Sequence, residues 1–197
     1  NDCACAMAEH IAGSEAAFVT LMNARAKELG MNDTNFVNCT GLDDALEAGQ
    51  HRTSAYDIAL MSRELMKHHP DIKKFTTIWM DTVRNGEFGL TNTNRLIRFY
   101  KGATGLKTGS TAKAGFCISA TAERDGLSLI AVIMGSPTRD ERNNAARALL
   151  DWGFAGFALY KSSPSLPDAI GVTGGKSNVC KITAEDFCSV IEKGGAS

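Results

Sequence analysis

The chain has 197 residues, 44% of them hydrophobic and 22% charged, enough to bury the core of one large domain. Its 21 basic and 22 acidic side chains leave a formal charge of -1, which excludes the basic surplus of a nucleic-acid binder. No apolar run is long enough to span a bilayer.

The opening, NDCACAMAEHIAG, carries no basic n-region and no cleavage site, so it is not a secretory signal. Ala4, Met7, Ala8 and Ile11 recur at helical spacing. A start in mid-helix predicts further residues before Asn1 in the complete protein. Ser14 is placed to cap a second helix, with Phe18, Leu21, Met22 and Leu29 along one side and Gly30 as its stop. Residues 31–53 read as loop, with a short strand expected at 35–39. Ser54 starts the next helix, with Asp57 three residues on as a variant capping box. Pro70 ends it, leaving His68 and His69 in its last turn.

A short helix is expected at 71–76, then a hairpin turning on Asn85-Gly86. Asp125-Gly126 joins GFCISATAER to LSLIAVIMG in another hairpin. The helix over TRDERNNAARALLDWGF is predicted to pack Ala146, Leu149, Leu150 and Phe154 on the sheet. Past Tyr160, KSSPSLPDAIGVTGGKSN reads as a linker into short strands. The pattern predicts one sheet-and-helix domain over 1–160 and the beginning of a second over 161–197. Six cysteines, at 3, 5, 39, 117, 180 and 188, show neither a disulfide framework nor zinc-type spacing with convergent partners, and read as structural.

Lys107, Thr108 and Gly109 interrupt what is otherwise a good strand. A lone lysine there reads as an edge charge that blocks sheet-to-sheet pairing. The neighbours change that reading. Gly109 weakens a strand unless something approaches its backbone closely, and Thr108, Ser110 and Thr111 set three hydroxyls beside one ammonium. A fixed cation, hydroxyl donors and an open backbone edge suit the carboxylate end of an extended peptide.

Lys-Thr-Gly on a strand before a hairpin resembles the third motif of the penicillin-binding proteins and serine β-lactamases. The blocks NDCACAMAEHIAGSEAAFVTLMNARAKELGM, NFVNCTGLD, GQHRTSAYDIALMSREL, TNTNRLIRFYKGATGLKTGSTAKAGFCISATAERDG and LLDWGF are similar, in order, to the D-alanyl-D-alanine carboxypeptidases of the low-molecular-weight penicillin-binding group. VTGGKSNVCKITAEDF is similar to the opening of that family's small C-terminal β-domain. The resemblance implies a β-lactamase/transpeptidase-like α/β fold, an antiparallel sheet flanked by helices, here without its N-terminal part. It implies a serine acyl-enzyme that trims peptidoglycan stem peptides ending in D-Ala-D-Ala, binds β-lactam antibiotics, works outside the cytoplasmic membrane, and needs no metal or organic cofactor.

Carried over residue by residue, the resemblance makes Lys107 the cation beside the nucleophile and the substrate carboxylate. Thr108 and Thr111 become hydroxyl donors to that carboxylate, and the Ser110 N–H an oxyanion donor. Gly109 lets the strand lie close to the nucleophile's helix. Asn1 matches the last position of Ser-x-Asn, and Arg142 falls where the family can place a basic residue near the carboxylate. Arg142 reads equally as a solvated arginine in the first turn of a helix.

The family's nucleophilic Ser-x-x-Lys and the serine of Ser-x-Asn fall before Asn1, so the resemblance places the nucleophile on an upstream segment or separate chain. Ser110-Thr111-Ala112-Lys113 fits Ser-x-x-Lys as a string. On a strand, however, positions three apart face opposite ways, which keeps the amine from the hydroxyl proton. Two other readings stay open: a serine β-lactamase, with Glu47 as its deacylating base, and a module that binds wall peptides without cleaving them.

Overall fold

A computed structural model of the chain describes residues 1–43, 49–163 and 165–194, and Glu47 lies outside them. Helix α1 (Asp2–Ala12) ends on Gly13 in the left-handed conformation, φ 79°. Ser14 then accepts the Ala17 N–H at 3.2 Å and opens α2 (Glu15–Glu28). The expected apolar stripes are only partly covered: Ala8 is buried, whereas Met7, Ile11 and Leu21 are exposed. The strand expected at 35–39 reduces to a single bridge between Asn35 and Arg52. Side chains do the tying there instead. Asn23 clasps Phe36 from both sides, Nδ2 donating to its carbonyl and Oδ1 accepting its N–H, each at 2.8 Å.

Ser54 accepts the Asp57 N–H at 3.1 Å and starts α3 (Ala55–His68). The second half of the capping box does not form. Asp57 is buried, and its carboxylate takes the Asp33 N–H at 2.9 Å and the Thr34 hydroxyl at 2.6 Å, anchoring the loop before the helix. A 3-10 turn (Pro70–Ile72) and the short α4 (Lys73–Thr76) lead to a two-stranded ribbon, β1 (Met80–Val83) and β2 (Phe88–Thr91). Its turn is wider than a two-residue one, with positive φ at Arg84, Asn85 and Gly86.

After the short α5 (Leu96–Phe99), three antiparallel strands form the main sheet in the order β3 (Ala103–Thr111), β4 (Gly115–Arg124), β5 (Leu127–Ser136). Asp125 (φ 52°) and Gly126 (φ 81°) supply the two positive dihedrals that a tight β4–β5 turn needs. Thr138 accepts the Glu141 N–H at 3.1 Å and caps α6 (Arg139–Gly156).

The pleat of β4 sorts its side chains between two helical layers. Ile118, Ala120 and Ala122 join Ala146, Leu150 and Phe154 of α6 in the core. Each large apolar side chain so buried contributes roughly 1.5–3 kcal/mol. Ser119, on the opposite face, meets Ser62 of α3, their hydroxyl oxygens 2.7 Å apart. Helices thus cover both faces. Leu149, expected in the packed stripe, is 48% exposed. At 100° per residue it falls at the margin of the line through 146, 150 and 154. Gly153 allows the close approach of α6, since a Cβ there would meet Leu129 Cδ1 at 2.7 Å.

Strand β6 (Phe157–Ser162) runs on from α6 and pairs with β9 (Phe187–Glu192), while β7 (Ala169–Gly171) pairs with β8 (Val179–Lys181). Among the described residues no helix is long and apolar enough to cross a membrane.

Candidate active site

Strand β3 is outermost in the main sheet: β4 bonds one side, and among the described residues no strand pairs with the other. Its register sets Lys107 opposite Ser119, Gly109 opposite Cys117 and Thr111 opposite Gly115. Directly paired residues share a face. Since Ser119 points at α3, Lys107, Gly109 and Thr111 line the α3 side of the strand, and Thr108 and Ser110 the α6 side.

Each of these residues has a definite surrounding. Lys107 is exposed, and its Nζ donates to the carbonyl of Thr108. A Cβ built on Gly109 would meet no atom within 4 Å. Thr108 is 8% exposed, with its hydroxyl 2.7 Å from that of Thr93. Thr111 donates its hydroxyl to Asp43 Oδ2 at 2.6 Å and accepts the Ala114 N–H at 2.9 Å. Lys113 donates to the Asp43 carbonyl at 2.8 Å. The second carboxylate oxygen of Asp43, Oδ1, is buried without a partner among the described residues. The string Ser110-x-x-Lys113 is therefore no pair in space: Ser110 belongs to the α6 face, and Lys113 reaches the residue that Thr111 holds on the other. A cavity opens beside this end of the strand, lined by Ser110, Thr111, Lys113, Phe116, Ser136 and Pro137.

Arg142 is not solvated. It is 3% exposed, its Nε and Nη2 donate to Asn143 Oδ1 at 3.2 and 2.9 Å, and Nη1 donates to the carbonyl of Cys117 at 3.4 Å. Burial, then the neighbouring Arg139, pull its pKa below the usual arginine value. Cys117 pairs with Gly109, so Arg142 stands one strand away from the Lys-Thr-Gly segment.

Asn1 is exposed at the start of α1 and makes no side-chain cap bond. Its helix is joined to the sheet edge through residues 39–43. Cys5 Sγ of α1 lies 3.8 Å from Cys39 Sγ, and four residues on Asp43 holds Thr111. The expectation that the cysteines lack convergent partners is corrected here. The ligand atoms of Cys5, Glu15 and Cys39 all lie within 4.8 Å of one another, brought together from three segments whose separation the spacing rules do not cover. The Glu15 carboxyl is held below its ordinary pKa, first by the Cys39 N–H and then by the Cys39 thiol. Asp43 and Thr93 have no motif of their own. Their signal in the sequence is position alone, inside NFVNCTGLD and TNTNRL.

Residues 1–138 match the family described as D-alanyl-D-alanine carboxypeptidase. D-alanyl-D-alanine carboxypeptidase DacF of Bacillus subtilis (strain 168) is 42% identical over 201 residues, covering 99% of this chain and 50% of that protein. Penicillin binding protein 5 from Haemophilus influenzae superposes with a TM-score of 0.78 at 32% identity, over 98% of this chain and 56% of its own. Penicillin-Binding Protein D2 from Listeria monocytogenes, solved in a cefotaxime-bound form, superposes with a TM-score of 0.70 at 35% identity, over 78% of this chain and 61% of its own. The chain spans about half the length of the curated relatives it matches. Its helices and antiparallel sheet match the transpeptidase-like fold of these neighbours over the part they share. On sequence and fold together, the chain belongs to the D-alanyl-D-alanine carboxypeptidase family.

Proposed function

We propose that this chain forms the sheet-side wall of the active cleft in a serine-type D-Ala-D-Ala carboxypeptidase, and that the nucleophilic serine lies on polypeptide upstream of Asn1. The observation that carries the reading is the outer strand β3, which sets Lys107, Gly109 and Thr111 on one face beside an edge that no strand covers among the described residues. A stem peptide ending in D-Ala-D-Ala would lie along that edge as an added strand. Its carboxylate would meet the Lys107 ammonium and the Thr111 hydroxyl, whose hydrogen leaves Asp43 to reach it. Thr108, held by Thr93 on the far face, supports the strand from beneath. The Ser110 N–H is the proposed oxyanion donor; loss of such a donor costs roughly a hundred- to a thousand-fold in rate. Arg142 adds positive charge behind Gly109, and Asn1 would bind the peptide backbone from the helical side.

In this reading the serine attacks the penultimate D-alanine carbonyl, terminal D-alanine departs, and water hydrolyses the ester. A β-lactam would acylate the same serine, as the cefotaxime-bound and ampicillin-bound Listeria neighbours support. The work would be done outside the cytoplasmic membrane, where peptidoglycan lies.

Labelled penicillin tests the division of labour. Residues 1–197 alone are expected to form no stable acyl-enzyme, whereas the protein with its upstream segment labels on a serine before Asn1 and releases D-alanine from a D-Ala-D-Ala peptide. Label found on Ser110 by peptide mapping would refute the assignment. Peptide binding without D-alanine release would favour a silent wall-peptide module, and rapid penicillin turnover a β-lactamase.

A further inference from the structure

Cys5, Glu15 and Cys39 come from the second turn of α1, the first residue of α2 and the loop that follows α2. None belongs to the proposed cleft, yet their ligand atoms converge within 4.8 Å and all three side chains are half-buried. The two sulfurs stand 3.8 Å apart. Two thiolates each about 2.3 Å from one tetrahedral centre are about 3.8 Å apart. A disulfide instead requires about 2.05 Å between the sulfurs, so this pair would have to close by well over an ångström. Glu15 Oε1 lies 3.2 Å from Cys39 Sγ, and the Cys39 N–H already fixes that oxygen at 3.0 Å. An outer hydrogen bond that orients a ligating carboxylate is a regular part of metal sites.

We propose that Cys5, Glu15 and Cys39 bind one soft divalent cation of the zinc type, with a fourth position left to water. Two thiolates and one carboxylate suit zinc over hard cations such as magnesium or calcium, which take oxygen ligands. On binding, both thiols release their protons to solvent, two sulfur–metal bonds and one oxygen–metal bond form, and no electrons change hands. The ion fastens α1, whose N-cap is Asn1, to the segment whose Asp43 holds Thr111. Its role is structural: it fixes the spacing between two sides of the sequence that the sheet alone does not connect.

Cobalt(II) is the probe. Titration of the reduced, chelator-stripped protein is expected to give thiolate-to-cobalt charge-transfer absorption that saturates at one ion per chain and is displaced by zinc. Cys5→Ser and Cys39→Ser should each abolish the band, and Cys3→Ser and Cys180→Ser should keep it. Glu15→Gln should weaken binding by about tenfold or more. A variant that fails to fold is bypassed by zinc protection of the unmutated protein from alkylation, expected at Cys5 and Cys39 alone on peptide mapping. Absence of the band and of protection, a band that survives in folded Cys5→Ser, or a Cys5–Cys39 disulfide in protein isolated without reductant would overturn the site.

Discussion

Thr111, the last residue of β3, donates its hydroxyl to Asp43 at 2.6 Å across 68 residues of sequence. Asp43→Ala removes this acceptor and frees the Thr111 rotamer, while the main-chain carbonyl that takes Lys113 stays in place. In the protein with the proposed upstream segment, kcat/KM for a D-Ala-D-Ala peptide is expected to fall about tenfold to a hundredfold, because Thr111 loses the placement that Asp43 gives it before the peptide arrives. Asp43→Asn, which keeps an acceptor oxygen, should restore most of the rate. An unchanged rate in Asp43→Ala, with folding verified by thermal melting, would show that Thr111 needs no such support.

Gly109 separates the demands of folding from those of binding. A Cβ there meets nothing within 4 Å, so Gly109→Ala is expected to leave the melting temperature unchanged or raise stability by about 0.4–1 kcal/mol. The same methyl group projects over the face that carries Lys107, and acylation by penicillin of the protein with its proposed upstream segment should slow. A variant that melts early but acylates normally would reverse the interpretation.

The Lys73–Glu123 pair makes part of the stability sensitive to acid. Lys73 Nζ lies 2.7 Å from Glu123 Oε2 and, by hydrogen bond first and charge second, holds that carboxyl below its ordinary value of 4.5. The folded state therefore takes up this proton at lower pH than the unfolded chain. The contribution is complete above about pH 4.5 and drains away as pH falls through the depressed folded-state value. Side chains 34% and 40% exposed keep it under about 1 kcal/mol. Glu123→Gln should lower the urea midpoint at neutral pH and match the parent in strong acid; identical midpoints at neutral pH would show that the pair contributes nothing.

Ser62 and Ser119 tie α3 to β4 through buried hydroxyls 2.7 Å apart, and Ser62 also donates toward the Ile58 carbonyl at 2.7 Å. Ser62→Ala leaves the Ser119 hydroxyl without this partner, at a cost of about 1–3 kcal/mol, whereas Ser119→Ala leaves Ser62 its bond to Ile58 and should cost less. The double variant should lose less than the sum of the singles, giving a coupling of about 0.5 kcal/mol or more in a denaturation cycle. Strict additivity would mean that the two hydroxyls act independently.

Local chemistry was the readable part of this chain. Ser14, Ser54, Gly30 and Asp125-Gly126 act within a few residues, where cap and turn geometry leaves few alternatives, and each marks a real helix end or turn. The Lys-Thr-Gly segment was legible as an anomaly, because a strand interior rarely tolerates that composition. Contacts set by tertiary folding were not. Asp57 pattern-matches a capping box yet turns its carboxylate to the preceding loop, since burial rewards satisfying Asp33 and Thr34. Leu149 shares a helix with the core residues but sits at the margin of the packed stripe. Thr93 and Asp43 are ordinary loop residues until β3 arrives beside them. The Cys5–Glu15–Cys39 cluster depends on where two helices and a loop finish, which no spacing rule encodes.

The outermost place of β3 has a metrical consequence. A guest chain laid along a pleated edge takes its phase from that pleat, so its side chains alternate between the two sides in steps of two residues, and a slip of one position swaps them all. On the proposed binding mode, Lys107 and Thr111 would mark where the guest stops, and the backbone between them would count how far back from that terminus the bond presented for attack falls.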